Sequence, residues 1–121
     1  MIELYQEFGF DAAHHFPHAA DGNRQRGLHG HSFTARVVLR GAPDPKTGFV
    51  ADLADVEARC AALRQELDHR YLNDIAGLES PSLEHIARWI WQRLKPDLPI
   101  LARVEVRRDS QRHGCVYDGT T

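Results

Sequence analysis

Two histidines one residue apart, His29 and His31, lie in the stretch Leu28-His29-Gly30-His31-Ser32-Phe33. On an extended backbone such residues point to the same face, so both imidazoles can converge on one ion. Upstream, Phe10-Asp11-Ala12-Ala13-His14-His15 offers His14 as a third ligand. Three histidines with an open fourth position is the arrangement expected of a catalytic zinc site rather than a closed structural one. A lone histidine is more often bonded to a backbone carbonyl, but a pair at i, i+2 on an apolar parity, joined by a third on another apolar parity, favours a metal. His15 has the opposite parity and His18 follows Pro17 in a loop, which makes them weaker competitors.

The second candidate for chemistry is Asp68-His69. A carboxylate beside an imidazole can orient the ring and raise its basicity, giving a proton shuttle near neutral pH. Neighbours in sequence need not touch, however, and a histidine placed at a helix C-terminus by the helix dipole explains the pair equally well. His85 and His113 read as surface residues. The pair Arg24/Arg26 and the group Arg103/Arg107/Arg108 have the chemistry to bind phosphate, with solvated faces as the default reading.

The elements that must position these groups follow from periodicity. Ile2, Leu4, Phe8, Phe10 and Ala12 alternate with Glu3, Tyr5, Glu7 and Asp11, a strand with one buried face that His14 continues. A polar loop covers residues 21–27. Phe33, Ala35, Val37 and Leu39 then define a second strand, and His29 and His31 share its apolar parity. After a turn at Asp44-Pro45 and Thr47-Gly48, residues 49–51 are suited to a short additional strand. Leu53, Val56, Cys60, Leu63 and Leu67 recur at helical spacing behind an Asp52 cap. A second helix starts near Ser80-Pro81-Ser82, carries Leu83, Ile86, Ile90 and Leu94 on its stripe, and ends before Pro96. Ile100, Ala102, Val104 and Val106 mark a further strand, and Cys115 to Tyr117 a short last one. The pattern is an α+β domain spanning residues 1–121, with an antiparallel sheet of four main strands and both helices on one of its faces. Its two open edges make closure by oligomerisation a reasonable expectation.

Composition narrows the partners. The formal charge is −2 and 42% of residues are hydrophobic, which fits one ordinary globular domain and gives no broad attraction to nucleic acid or to an anionic membrane. A small molecule is the expected partner. The two cysteines form no CxxC pair, and no leader or membrane-length apolar run is visible, so a reducing, cytoplasmic setting is expected.

Five motifs in order, Phe10-Asp11-Ala12-Ala13-His14, Leu28-His29-Gly30-His31-Ser32-Phe33, Asp44-Pro45-Lys46-Thr47-Gly48, Leu67-Asp68-His69-Arg70-Tyr71-Leu72-Asn73-Asp74 and Trp89-Ile90-Trp91, resemble the 6-pyruvoyl-tetrahydropterin synthase family. Its bacterial branch, which makes 6-carboxytetrahydropterin for queuosine and other deazapurines, looks closest. The resemblance covers nearly the whole chain. It implies the tunnelling fold, with trimers closing into a barrel and pairing as hexamers. It implies zinc on His14, His29 and His31, and 7,8-dihydroneopterin triphosphate as substrate, losing triphosphate and acetaldehyde. It assigns Asp68 and His69 as the acid/base pair opposing a catalytic cysteine.

The chain departs from that pattern twice. The cysteine position, four residues before the first histidine of HGH, holds Gln25, which cannot act as a base. The glutamate that binds the pterin's amino-pyrimidine edge is replaced by Arg108, a group with no acceptor lone pair; Asp109 beside it would serve if a bulge turned it inward. Three readings follow: a carboxytetrahydropterin synthase with altered acid/base machinery, a paralogue acting on another pterin-like or purine-like substrate, or a zinc- or ligand-binding homologue without catalysis.

Overall fold

Alternation of apolar and polar residues carries through into the computed structural model, which describes residues 1–120. Strands β1 (Ile2–His14) and β2 (His29–Gly41) are followed by helices α1 (Leu53–Leu67) and α2 (Leu83–Leu94), then strands β3 (Leu101–Arg108) and β4 (His113–Tyr117). The four strands form one sheet in the order β1-β2-β3-β4, antiparallel at every pairing. Phe8, Phe10 and Ala12 of β1, Phe33, Ala35, Val37 and Leu39 of β2, and Val104 and Val106 of β3 are buried on one face. Both helices cover that face, α1 over β1 and α2 over β3 and β4.

The helices start and stop for local reasons. The carboxylate of Asp52 accepts the amide of Ala54, and the hydroxyl of Ser82 accepts the amide of His85, each satisfying a donor that the first turn leaves free. Val56, Cys60, Leu63 and Leu67 are buried at steps of four and three, while Leu53 at the start of the stripe stands exposed. Pro81 precedes the α2 cap instead of lying in the first turn, and its carbonyl is free to serve the site described below.

Two expectations change. Residues 49–51 are irregular, with a bend at Val50 and Ala51, rather than a strand. Asp44 turns the chain back on itself, its carboxylate accepting the amides of Lys46 and Thr47 while its own amide donates to the carbonyl of Phe49; β2 is already paired on both sides, so no edge is open to them beside it. In β3 the inward residue at the start is Leu101, not Ile100. The register shifts between Val38 and Leu39, which pair with Arg103 and Leu101, leaving Ala102 as the extra residue of a bulge. One added residue reverses the parity upstream of it.

The sheet face away from the helices carries ion pairs. Glu7 receives Arg36 at 2.7 Å and Arg107 at 3.0 Å, and Arg103 bridges Glu3 and Glu105. Such exposed pairs contribute little stability singly. They do decide which arginines are engaged elsewhere: of the group Arg103, Arg107 and Arg108, only Arg108 keeps the parity of Val104 and Val106 and faces the helix side.

Candidate metal centre

His14 ends β1 directly opposite His29, and His31 pairs with Ala12 one step along. The period-two argument therefore brings all three rings to one end of the apolar face. Their centroids lie 4.5 Å (His14 to His29), 4.8 Å (His29 to His31) and 5.0 Å (His14 to His31) apart. One nitrogen from each lies within 4.8 Å of the others. Phe33, stacked on Phe10 at 5.0 Å, presents its ring to the edges of His14 and His31 and closes the floor against water.

The protonation pattern fits an ion. His14 Nδ1 stands 2.9 Å from the carbonyl of Pro81 and His29 Nδ1 stands 2.8 Å from that of Gly27. A carbonyl only accepts, so both Nδ1 atoms carry a hydrogen, which in the neutral ring puts the lone pair on Nε2. That of His14 is buried with no partner at all. A buried acceptor left unpaired is costly, and carbonyls that hold the far nitrogen are the usual support of metal-binding imidazoles. His14, His29 and His31 are thus positioned to hold a metal ion.

Burial pushes the pKa of His14 down to about 4, with the neighbouring His29, His31 and Arg108 adding repulsion, and burial followed by Arg108 does the same for His31, also to about 4. Both rings are neutral at pH 7, the form that ligates. In the metal-free protein the unfolded chain binds these two protons near pH 6.5 and the folded one only near pH 4. Stability therefore rises with pH across that window and is lost as pH falls through it. We expect the urea midpoint of metal-free protein to drop between pH 6.5 and 4, and to drop less for a His14→Phe variant; equal slopes would contradict the burial of a neutral imidazole.

Outward from the three histidines opens a cavity of about 420 Å³, lined by Arg24, Gln25, His29, His31, Arg108, Gln111 and His113. Gln25 reaches it from a single 3-10 turn, Arg24–Arg26, capped by Asn23. Arg26 is spent on the loop itself, donating to the carbonyls of Pro17 and Ala19, so only Arg24 of that pair faces the cavity. Arg108 reaches His31, its Nη1 at 3.2 Å from Nε2, while its own Nε is buried without a partner. Asp109 does not line the cavity: its carboxylate accepts from Arg107 at 2.7 Å and from the Thr34 hydroxyl at 3.0 Å, on the opposite face of the sheet. His113 is exposed, as its reading as a surface residue expects, and it also borders the cavity because it pairs with Arg108 across the β3–β4 hairpin. The turn residues between the two strands were the available signal for it.

Asp68 and His69 do touch. Asp68 Oδ2 lies 2.9 Å from His69 Nδ1 and 3.1 Å from Arg64, and Oδ1 accepts the amide of Asp11 at 2.9 Å. That amide bond, then the His69 contact, holds the Asp68 carboxyl below the usual carboxylate range. The chain leaving α1 is strapped along the outer edge of β1: His69, at φ 59°, donates its amide to Asp11, and Ala13 donates to Arg70. Asn73 completes the strap by bonding both the amide and the carbonyl of His15. His15 itself turns to the Tyr71 hydroxyl at 2.5 Å. The His69 side chain is 79% exposed. It lines a second cleft, of about 610 Å³, with Asp11, Gly30, Ser32, Arg70 and Tyr71. The two clefts have only His31 in common. One chain therefore does not turn Asp68 and His69 into the cavity that holds Gln25 and Arg108.

Neither cysteine enters either of these clefts. Cys60 is buried on α1, its thiol pushed up to about 11 by burial, and burial raises Cys115 as well. Neither supplies a thiolate at neutral pH.

A four-stranded antiparallel sheet backed by two helices, with three imidazoles at the end of its buried face positioned to hold a metal, defines a domain of the tunnelling-fold class. The chain belongs to the 6-pyruvoyl tetrahydropterin synthase family, whose pattern it matches over residues 3–120. It is 44% identical over 112 residues to the 6-carboxy-5,6,7,8-tetrahydropterin synthase of Synechocystis sp., covering 88% of this chain and 85% of that protein. It is 39% identical over 90 residues to the dihydroneopterin monophosphate aldolase of Pyrococcus furiosus, covering 74% of this chain and 72% of that one. In fold it is similar to the 6-pyruvoyl tetrahydropterin synthase of Caenorhabditis elegans, with a TM-score of 0.87 at 24% identity over 98% of this chain and 96% of that one.

Proposed function

We propose that the protein is a zinc-dependent lyase of the 6-carboxy-5,6,7,8-tetrahydropterin synthase type, acting on 7,8-dihydroneopterin triphosphate in the cytoplasm on the route to queuosine and related deazapurines. The observation that carries this is the orphaned Nε2 of His14, buried within 4.8 Å of a ring nitrogen from each of His29 and His31, in a chain 44% identical to a protein of that name. Zinc bound there supplies a Lewis acid for the oxygens of the substrate side chain. His14, His29 and His31 hold it, and Phe33 keeps bulk water from beneath it. Asp68 orients His69 through Nδ1 and leaves the exposed Nε2 to take or give a proton. Arg24, Gln25, Arg108 and His113 surround the ligand.

No membrane-length apolar helix is present among the described residues, and the net charge of −2 offers nucleic acid no broad attraction. The separation of Asp68 and His69 from the three-histidine cavity supports a homo-oligomer, a trimer or hexamer, in which the pair on one copy serves the metal of another. The edge of β4, and that of β1 ahead of the strapped segment that begins at Asp11, are available for that contact.

Gln25 and Arg108 favour a second reading, a diverged relative with a different pterin-like or purine-like substrate. Incubating zinc-loaded protein with 7,8-dihydroneopterin triphosphate tests the first reading: 6-carboxytetrahydropterin and acetaldehyde are expected as products. Turnover by Gln25→Cys but not by the native chain would remove it in favour of the second.

A further inference from the structure

Arg108 has one hydrogen-bond partner, and that partner is an atom wanted for something else. Its Nη1 donates to Nε2 of His31 at 3.2 Å, its Nε is buried with no acceptor, and it forms no salt bridge among the described residues. Glu84 acts on it only as a more distant charge, and burial lowers its pKa. Its strand neighbours Arg103 and Arg107 each hold two carboxylates.

A metal on the three histidines takes this partner away whichever nitrogen of His31 it uses. Bound at Nε2, it occupies the lone pair that Arg108 now shares. Bound at Nδ1, it leaves the hydrogen of the neutral ring on Nε2, and a donor then faces a donor. In either case a guanidinium with five N–H groups is left facing a divalent cation without an anionic acceptor, in a cavity whose other lining groups are Arg24, Gln25, Gln111 and histidines. No carboxylate lines that cavity. The amide oxygens of Gln25 and Gln111 are neutral acceptors at best, so an anionic partner for the guanidinium must come from the ligand.

We propose that Arg108 couples metal binding to the binding of an oxyanion in this cavity, a carboxylate or phosphate group of the ligand that lies against the guanidinium and beside the metal. The inference rests on the reading of His14, His29 and His31 as a metal site and deepens the proposed function by naming the chemistry of the group that the cavity takes. A guanidinium presents a fork matched to two oxygens, so the ligand meets this wall with a charged oxygen pair in place of an N–H edge. Coupling between two sites is reciprocal, so the oxyanion tightens the metal and the metal tightens the oxyanion.

The test measures zinc affinity by competition with a chromogenic chelator, at constant ionic strength, in perchlorate, in inorganic phosphate and in acetate, each corrected by the same competition without protein. Native protein is expected to bind zinc about 10-fold more tightly in phosphate or in acetate than in perchlorate, within the range of roughly 5–150-fold usual for coupled sites. In Arg108→Ala the anion effect disappears and zinc binding in perchlorate becomes tighter than native, because the competitor for His31 is gone. Arg108→Gln, which keeps most of the volume, provides the same comparison should the alanine variant fail to fold. A response to phosphate alone assigns a phosphate group, and a response to acetate alone assigns a carboxylate. Zinc binding that ignores both anions, or an anion effect that survives in Arg108→Gln, overturns the inference while leaving the metal site standing. Failure of native protein to bind zinc under any condition overturns the metal site and this inference with it.

Discussion

Replacing His29 with alanine strips the metal from the protein and stops turnover. His29 sits at the rim of the site, half-buried, with Nδ1 fixed by the Gly27 carbonyl 2.8 Å away, so its removal costs little packing. Two imidazoles and solvent remain, and chelation by a preformed set of three is lost. Losing an outer-shell partner of a metal ligand already costs roughly 10–100-fold in affinity; losing the ligand itself is expected to cost more than about 100-fold. Metal per chain, measured by plasma mass spectrometry after dialysis against a weak chelator, should fall from near one to near zero, with His31→Ala behaving alike. His85→Ala is the control, an exposed histidine on α2 bonded to the carbonyl of Ser80, and should keep its metal. Undiminished stoichiometry in His29→Ala would end the proposal of a three-histidine site.

A comparable loss of turnover, with the metal retained, is expected from the other half of the machinery. Asp68→Asn keeps an acceptor for the Asp11 amide but removes the charge that supports His69, and His69→Asn removes the proton-carrying ring. Asparagine is chosen because His69 adopts φ 59°, a left-handed conformation that asparagine tolerates and most residues do not. Each should lower kcat by about 10²–10⁴, the usual worth of a positioned acid or base, while zinc content stays native. The two clefts that share only His31 give this prediction a second arm. Mixed oligomers of His29→Ala and His69→Asn chains should regain activity that neither variant has, because some sites then combine an intact metal cavity from one copy with an intact Asp68–His69 pair from another. Mixtures that stay inactive would place the pair in the service of its own chain.

Much of this arrangement is legible in residue order because strand and helix periods encode faces. Alternation along residues 8–14 and 29–37 marks the buried face, although Ile2 on the same parity is exposed and Val38 off it is buried, and the same parity puts His14, His29 and His31 on that side. The helical stripes of α1 and α2, with Asp52 and Ser82 before them, state what covers it. These signals are local: each depends on side chains a few residues apart competing for water or for one buried surface.

Contacts that depend on how distant segments meet are a different matter. A bulge at Ala102 exchanges Ile100 for Leu101 in the core, and its position is set by pairing with β2, which no pattern within β3 reports. The β3–β4 hairpin carries His113 back opposite Arg108, and Thr34 and Arg107 draw Asp109 away to the other face. The strap of residues 68–73 along β1 turns Asp68 and His69 from sequence neighbours into a bonded pair in a separate cleft. By itself, then, the sequence determined the strands, the helices and the three histidines that share a face, because periodicity is a property of adjacent residues. Only the tertiary structure decided that Arg108 lies against His31 and that Asp68 and His69 lie outside the three-histidine cavity, because register, bulges and edge strapping are set by hydrogen bonds between segments far apart in the chain.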